Sequence, residues 1–131
     1  MAGSATIKLF TSIEDMTGVP QPYPGTISYT ITGIDEVSSR YSDIAAAAKL
    51  AIDVGEIDTV TGFWIYVVTG GSDASNCISV DLETATYTTA HDLIYQGEAR
   101  FYRPLDGTEL SVENSDSSTA TIAYMIFGDN A

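Results

Sequence analysis

The sequence predicts an all-β protein, a single-domain antiparallel β-sandwich of the jelly-roll type over residues 1–131. Three observations support this fold class. Apolar and polar residues alternate with a period of two in several short runs, which is the pattern of strands with one buried face. Turn-forming residues separate these runs at the short spacing typical of sandwiches and jelly rolls. Apolar residues make up 44% of the chain, which is enough to form a core.

The predicted strands follow from these runs. Five runs alternate and have one apolar face: 6–9, 27–32, 78–82, 99–102 and 109–113. Two others, at 63–68 and 119–127, are apolar on both faces, which is typical of central strands covered on both sides or lying at a subunit contact. Trp64 lies in the first of these, so we expect it in the core. Proline, glycine and Asx residues mark the turns between the strands, as in PLDG at 104–107.

One segment, 42–58, fits two interpretations. Four consecutive alanines, with Asp43 as a candidate N-cap and Gly55 as a stop, favour a short helix near residues 43–52. Apolar residues at every second position of 48–52 fit a strand equally well. Both interpretations stay open at this point.

The charge of the chain excludes several classes of partner. The chain has eighteen acidic and five basic residues, for a formal net charge of −13. The lysines and arginines do not form a continuous basic stripe in the sequence. Such a surface repels phosphate, so we expect no nucleic-acid partner. No run approaches the roughly 18 apolar residues of a membrane span, and the first ten residues lack the pattern of a signal peptide. The charge fits simple solubility or a partner with a basic face.

We find no pattern of residues that would support catalysis or bind a cofactor. The single histidine, His91, precedes Asp92, but neighbours on a strand point to opposite faces, so we expect a surface or interface histidine and no triad. Cys77 is the one cysteine and is expected as a small, partly buried thiol. Zinc, nucleotide and protease motifs are absent from the sequence. We therefore expect no catalytic, cofactor or metal residues.

Calcium is the one metal for which the loops contain candidate ligands. Asp73, Asn76, Asn114 and Asp116 place side-chain oxygens in two loops, but without the spacing of an EF-hand. Asx side chains in such turns usually bond to their own backbone instead.

Contacts with a partner are expected in the irregular pieces of the chain. Residues 1–6 are predicted as an extended N-terminal arm, and 18–24 as a proline-rich loop with Tyr23 as a candidate anchor. An exposed tyrosine serves a protein contact or stacks on a sugar. The predicted contact residues are Ala2, Gly3, Ser4, Pro22, Tyr23, Pro24 and Tyr41.

About the C-terminal half of the chain resembles small β-sandwich accessory structural proteins of tailed bacteriophages. The resemblance lies in GFWIYVVTGGSDASNCISVDL at 62–82 and in EARFYRPLDGTELSVENSDSSTATIAYMIFG at 98–128. Asp73 and Asn76 match a D-x-x-N element, and residues 103–107 match a turn before the last strands. The chain departs from this pattern at 69–71, where Thr-Gly-Gly replaces the expected asparagine.

This resemblance implies a virion component without enzymatic activity. It implies a capsid decoration or cement protein that stabilises the shell by binding the major capsid protein or other virion subunits. Such a protein would be made in the host cytoplasm, lie on the capsid surface and form a homo-oligomer, with a trimer favoured. A tail or neck role, a carbohydrate- or receptor-binding module, and an enzyme with His91 in a concave pocket are the alternatives.

Overall fold

The computed structural model describes residues 3–10, 26–72, 76–103 and 109–129, except for the side chain of Ile27. These residues form strands and turns but no helix, so no helix long and apolar enough to cross a membrane occurs among them. The prediction of an all-β protein is confirmed. The strands are β1 (Gly3–Phe10), β2 (Thr26–Ile34), β3 (Glu36–Ile44), β4 (Lys49–Ala51), β5 (Thr59–Thr69), β6 (Ile78–Asp81), β7 (Asp92–Ile94), β8 (Ala99–Tyr102), β9 (Ser111–Asn114) and β10 (Ala120–Asp129).

Eight of the strands form two antiparallel sheets. The first sheet has the order β3-β10-β5-β8, and the second sheet has the order β4-β9-β6-β7. Strands that follow one another along the chain alternate between the sheets, apart from the hairpin of β6 and β7. This arrangement of two four-stranded sheets is that of a jelly roll, as the sequence predicts.

The core lies between the inner faces of the two sheets and is filled by apolar side chains. Period-two alternation in β5 and β10 turns every second residue inward, where it meets β6, β7 and β9. Burying each large side chain contributes about 1.5–3 kcal/mol. The large apolar side chains that are completely buried are Phe63, Ile65, Val67, Ile78, Val80, Ile94, Leu110, Val112, Ile122 and Ile126.

Of the two interpretations of residues 42–58, the short helix near 43–52 is not formed, and strand β4 lies in this segment. Ile44 ends β3 in the core, residues 45–48 form a turn, and β4 follows in the second sheet. A helix there would remove Ile44 from the core, and the positive φ of Ala47 (55°) is incompatible with one. Asn114 stabilises the turn by donating from Nδ2 to the carbonyl oxygens of Ile44 (3.1 Å) and Ala45 (3.2 Å). Tertiary packing therefore overrides the helix propensity of the alanines.

Strands β1 and β2 form a separate antiparallel pair that packs against one part of the first sheet. Ile31 and Ile34 of β2 and Phe127 of β10 are buried there, with Trp64 and Phe101 packed against them. Residues 3–6 of the segment expected as an arm belong to β1 and pair with β2. The N-terminal strand is thus tied to the sandwich through a second, smaller apolar cluster.

Candidate binding surface

His91 lies beside two carboxylates at one end of the second sheet. Its Nδ1 accepts a hydrogen bond from the backbone N–H of Leu82 (3.0 Å), which leaves the ring proton of the neutral form on Nε2. Nδ1 lies 3.6 Å from Asp81 Oδ1, and Nε2 lies 4.0 Å from Glu83 Oε2. The imidazole is 22% exposed. Because Nδ1 accepts this hydrogen bond, the imidazole fixes the position of the backbone at Leu82.

Asp81 organises the loop that leads to His91. Its carboxylate is completely buried and accepts hydrogen bonds from the backbone N–H groups of Glu83, Thr88 and Thr89, each 3.0 Å long, and from the Thr88 hydroxyl. Burial by itself raises the pKa of this carboxyl, but the four hydrogen bonds outweigh burial and lower the pKa to about 2. The carboxylate is therefore an ionised structural anchor.

Asp92 faces away from His91, towards the other sheet. Its Oδ2 accepts a hydrogen bond from the Tyr102 hydroxyl (2.6 Å) and lies 3.7 Å from Arg100 Nε. Burial, and then the bond to Asp92 and its negative charge, raise the pKa of Tyr102 far above its usual range. These contacts join β7 of the second sheet to β8 of the first. His91 and Asp92 therefore have separate partners, the backbone at Leu82 for His91 and the side chains of Tyr102 and Arg100 for Asp92.

Two of the four loop residues considered for calcium, Asn114 and Asp116, bind backbone groups. Asn114 is completely buried, with its Nδ2 bonded to three carbonyl oxygens and its Oδ1 accepting from the Asp116 N–H. Asp116 accepts from the N–H groups of Gly71 (3.4 Å) and Ser118 (3.3 Å). Asp73 lies outside the described residues. Within the described part of the chain, no group of three or more His, Cys, Asp or Glu residues is placed to hold a metal ion.

The exposed apolar side chains are concentrated on one side of the molecule. Of the six large ones among the described residues, five belong to β1, β2 and β3: Leu9, Phe10, Tyr29, Val37 and Tyr41. We call the outer face of the first sheet, together with β1 and β2, the apolar side. The sixth, Leu93 (38% exposed), lies on β7 of the second sheet. Leu9 and Phe10 are 63% and 73% exposed at the end of β1.

A groove of 410 Å³ opens on the apolar side, across β3, β10 and β5. Strand register arranges its residues in two rows. Tyr41 pairs with Ala123, which pairs with Tyr66. In the next row, Met125 lies between Ser39 and Trp64. The small side chain of Ala123 between two tyrosines leaves the space that forms the groove.

Of the four aromatic residues in the groove lining, Tyr124 is buried in the core, and the other three are Tyr41, Trp64 and Tyr66. Trp64 and Tyr66 lie on the same face of β5, with ring centroids 6.4 Å apart and planes inclined by 19°. Tyr41, on the opposite side, is 78% exposed. The prediction that Trp64 lies in the main core is wrong. Alternation along β5 turns Phe63 and Ile65 inward, so Trp64 faces outward and is half-buried beside the β1–β2 pair.

The groove differs in charge from the rest of the surface. Among the described residues, its lining contains no aspartate or glutamate, in a chain with eighteen of them, and contains one cation, Arg40. Arg40 forms an ion pair with Asp53, with Nη2 and Oδ2 3.0 Å apart. The lining is therefore aromatic and nearly neutral.

The predicted contact residues have separate outcomes. Gly3 and Ser4 are exposed at the start of β1 and line a smaller cleft of 240 Å³ with Val37. Tyr41 is exposed, as expected of a contact residue, and lies at the groove. Ala2, Pro22, Tyr23 and Pro24 lie outside the described residues. The sequence did not point to Trp64, Tyr66 or Met125 as surface groups, although their alternation with Phe63 and Ile65 or with Tyr124 and Ile126 could have shown it.

No family model matches the chain, and no curated protein is similar to it in sequence. Among solved structures, it is similar to a cupin domain from Bordetella pertussis Tohama I, with 11% sequence identity and a TM-score of 0.46. The aligned region covers 71% of this chain and 82% of that chain.

Proposed function

We propose that this protein is an accessory structural protein of a bacteriophage virion, which binds and stabilises the capsid shell through subunit contacts. The observation that carries the proposal is the concentration of exposed apolar side chains on one side. Apolar patches of this kind mark interaction surfaces. The resemblance of residues 62–82 and 98–128 to phage structural proteins supports the choice of partner.

The end of the β1–β2 pair is the proposed anchor of the contact. Leu9 and Phe10 project there, and Tyr29 contributes a ring that packs against Phe101, with centroids 6.0 Å apart, and a hydroxyl that accepts a bond from Arg103. Covering the exposed parts of Leu9 and Phe10 would contribute about 1–2 kcal/mol each. Such contacts at the centre of an interface supply most of its affinity.

In this proposal, the negative charge of the protein orients it on a basic partner surface. A chain with net charge −13 repels its own copies at low ionic strength and is attracted to a basic surface. We therefore propose a shell subunit with a basic face as the partner, with the protein made in the host cytoplasm and placed on the capsid surface. Self-association as a trimer would occur once the shell or salt offsets the repulsion.

Co-sedimentation with capsid shells assembled without this protein tests the proposal. We expect the wild-type protein to sediment with the shells, and Phe10→Ser to weaken binding about tenfold, since about 1.4 kcal/mol corresponds to a factor of 10. Leu93→Ser, which changes an exposed apolar residue of the second sheet, is the matched control and should bind normally.

Two outcomes would contradict the proposal: absence of the wild-type protein from the shell pellet, or equal losses in the two variants. Sedimentation with isolated tails or necks, and not with shells, would assign the same surface to another virion part. Light scattering of the free protein measures the oligomer.

A further inference from the structure

We propose that the groove on the first sheet is a binding site for a neutral saccharide. This goes beyond the proposed contact with the capsid, which uses the end of the β1–β2 pair. The groove is formed by Tyr41, Trp64 and Tyr66 around Ala123 and Met125. Four properties support the proposal: size, aromatic geometry, free hydrogen-bonding groups and charge.

The size of the groove suits a ligand of a few rings. Its volume of 410 Å³ falls within the range of small-molecule sites, roughly 300–1,000 Å³. Such sites combine a mostly apolar lining with a few polar groups that orient the ligand. The floor consists of apolar side chains on paired strands, so the groove is preformed by the sheet.

The aromatic rings suit the faces of a sugar ring. The face of an aromatic ring carries partial negative charge, and the C–H groups on one face of a pyranose carry partial positive charge. Trp64 and Tyr66 present nearly parallel planes, and the exposed ring of Tyr41 lies across the groove from them. A sugar that entered the groove would therefore have aromatic side chains on both sides.

Polar groups at the same place can bind sugar hydroxyls. The Trp64 indole N–H and the hydroxyls of Ser39, Tyr41 and Tyr66 form no hydrogen bond with any other described residue. Each hydroxyl donates one hydrogen bond and accepts others, and the indole donates one. A saccharide offers both kinds of partner at every ring carbon that bears a hydroxyl.

Charge selects a neutral ligand. Arg40 is the one charged residue that the described part of the chain contributes to the groove lining, and Asp53 already neutralises it at 3.0 Å. The remaining surface carries the large negative charge of the chain and repels sialylated or sulfated sugars over about a Debye length, roughly 8 Å at physiological ionic strength.

Tryptophan fluorescence provides a direct test, because Trp64 is the one tryptophan in the chain. The probes are neutral tetrasaccharides: cellotetraose, laminaritetraose, maltotetraose and tetra-N-acetylchitotetraose. We expect at least one of them to change the emission with a saturable dependence at micromolar to millimolar concentrations. The acidic sugar sialyllactose should leave the emission unchanged.

Two variants locate the binding. Tyr41→Ala should weaken binding about tenfold, the loss of one stacking contact of about 1.4 kcal/mol. It should keep the thermal transition of the wild-type protein, because the ring is 78% exposed. Phe10→Ala is the matched control, an aromatic residue 73% exposed outside the groove, and should bind sugar normally.

Three results would overturn the proposal: no change in emission with any of the four neutral probes, equal losses in the two variants, or a change in emission that depends on protein concentration without sugar. The last result would assign the groove to a second copy of the chain. Capsid binding is measured separately with Phe10→Ser, so the two proposals can fail independently.

Discussion

Replacing Asp81 by asparagine should destabilise the protein in a way that depends on pH. The buried carboxylate accepts four hydrogen bonds, three of them from backbone N–H groups of the loop after β6. In Asp81→Asn the negative charge is lost, and the new amide group faces at least one of these N–H donors. A buried donor left without an acceptor costs about 1–3 kcal/mol.

The pKa of Asp81 gives a second measure of the same interaction. Folding lowers this pKa from 3.8 to about 2, which corresponds to about 2 kcal/mol at 1.36 kcal/mol per unit. Because the folded pKa is the lower one, the stabilisation is fully present above pH 3.8 and is lost as the pH falls through about 2. We expect the two proteins to differ by about 2 kcal/mol at pH 7 and to converge towards pH 2.

Urea unfolding followed by fluorescence between pH 7 and pH 2.5 measures this difference. Glu56→Gln, a change at an exposed carboxylate, is the control and should leave the unfolding free energy unchanged at pH 7. The imidazole of His91 lies 3.6 Å from Asp81. Repeating the comparison in a His91→Gln background therefore shows how much of the difference comes from this neighbour. A difference that is absent at pH 7, or that stays constant down to pH 2.5, would refute the reasoning.

Two further predictions concern the loops that close the sandwich. Asn114→Ala should lower the unfolding free energy by about 2–4 kcal/mol, because it removes the buried amide that bonds to three carbonyl oxygens and one N–H. A loss below about 1 kcal/mol in urea unfolding would contradict this role. Gly70→Ala should lower the melting temperature much more than Gly97→Ala. Both glycines have positive φ, but a Cβ at Gly70 would lie 2.5 Å from a neighbouring Cβ, whereas one at Gly97 would meet nothing within 4 Å. Equal shifts would show that steric contact is not the cause.

Alternation in the sequence determined most of the fold. The runs at 63–68 and 119–127, apolar on both faces, also located β5 and β10, which lie in the middle of the first sheet. Alternation offered β4 as one of two interpretations of 42–58, and it did not locate β3 or β7, which lie at the edges of their sheets. The sequence of β3 is mostly polar, and β7 has three residues, so neither shows a clear period of two.

Local sequence could not decide the turn at residues 45–48. Four alanines have high helix propensity, but the amide of Asn114, about seventy positions later, bonds to the carbonyl oxygens of this turn. The energy that decides between helix and turn therefore comes from a residue that no local window contains. The structural role of Asp81 is hidden for a different reason: its partners lie within eight positions of it, but they meet its carboxylate only after the loop folds back over β6.

The groove depends entirely on strand register. Tyr41, Tyr66 and Ala123 come from three strands spread over more than eighty positions, and their pairing across β3, β10 and β5 places them in one row. A shift of one residue in either pairing would turn an aromatic ring towards the core. Composition and alternation thus determined a jelly roll with an apolar interior, whereas the surface available to a ligand was decided by hydrogen bonding between strands distant in sequence.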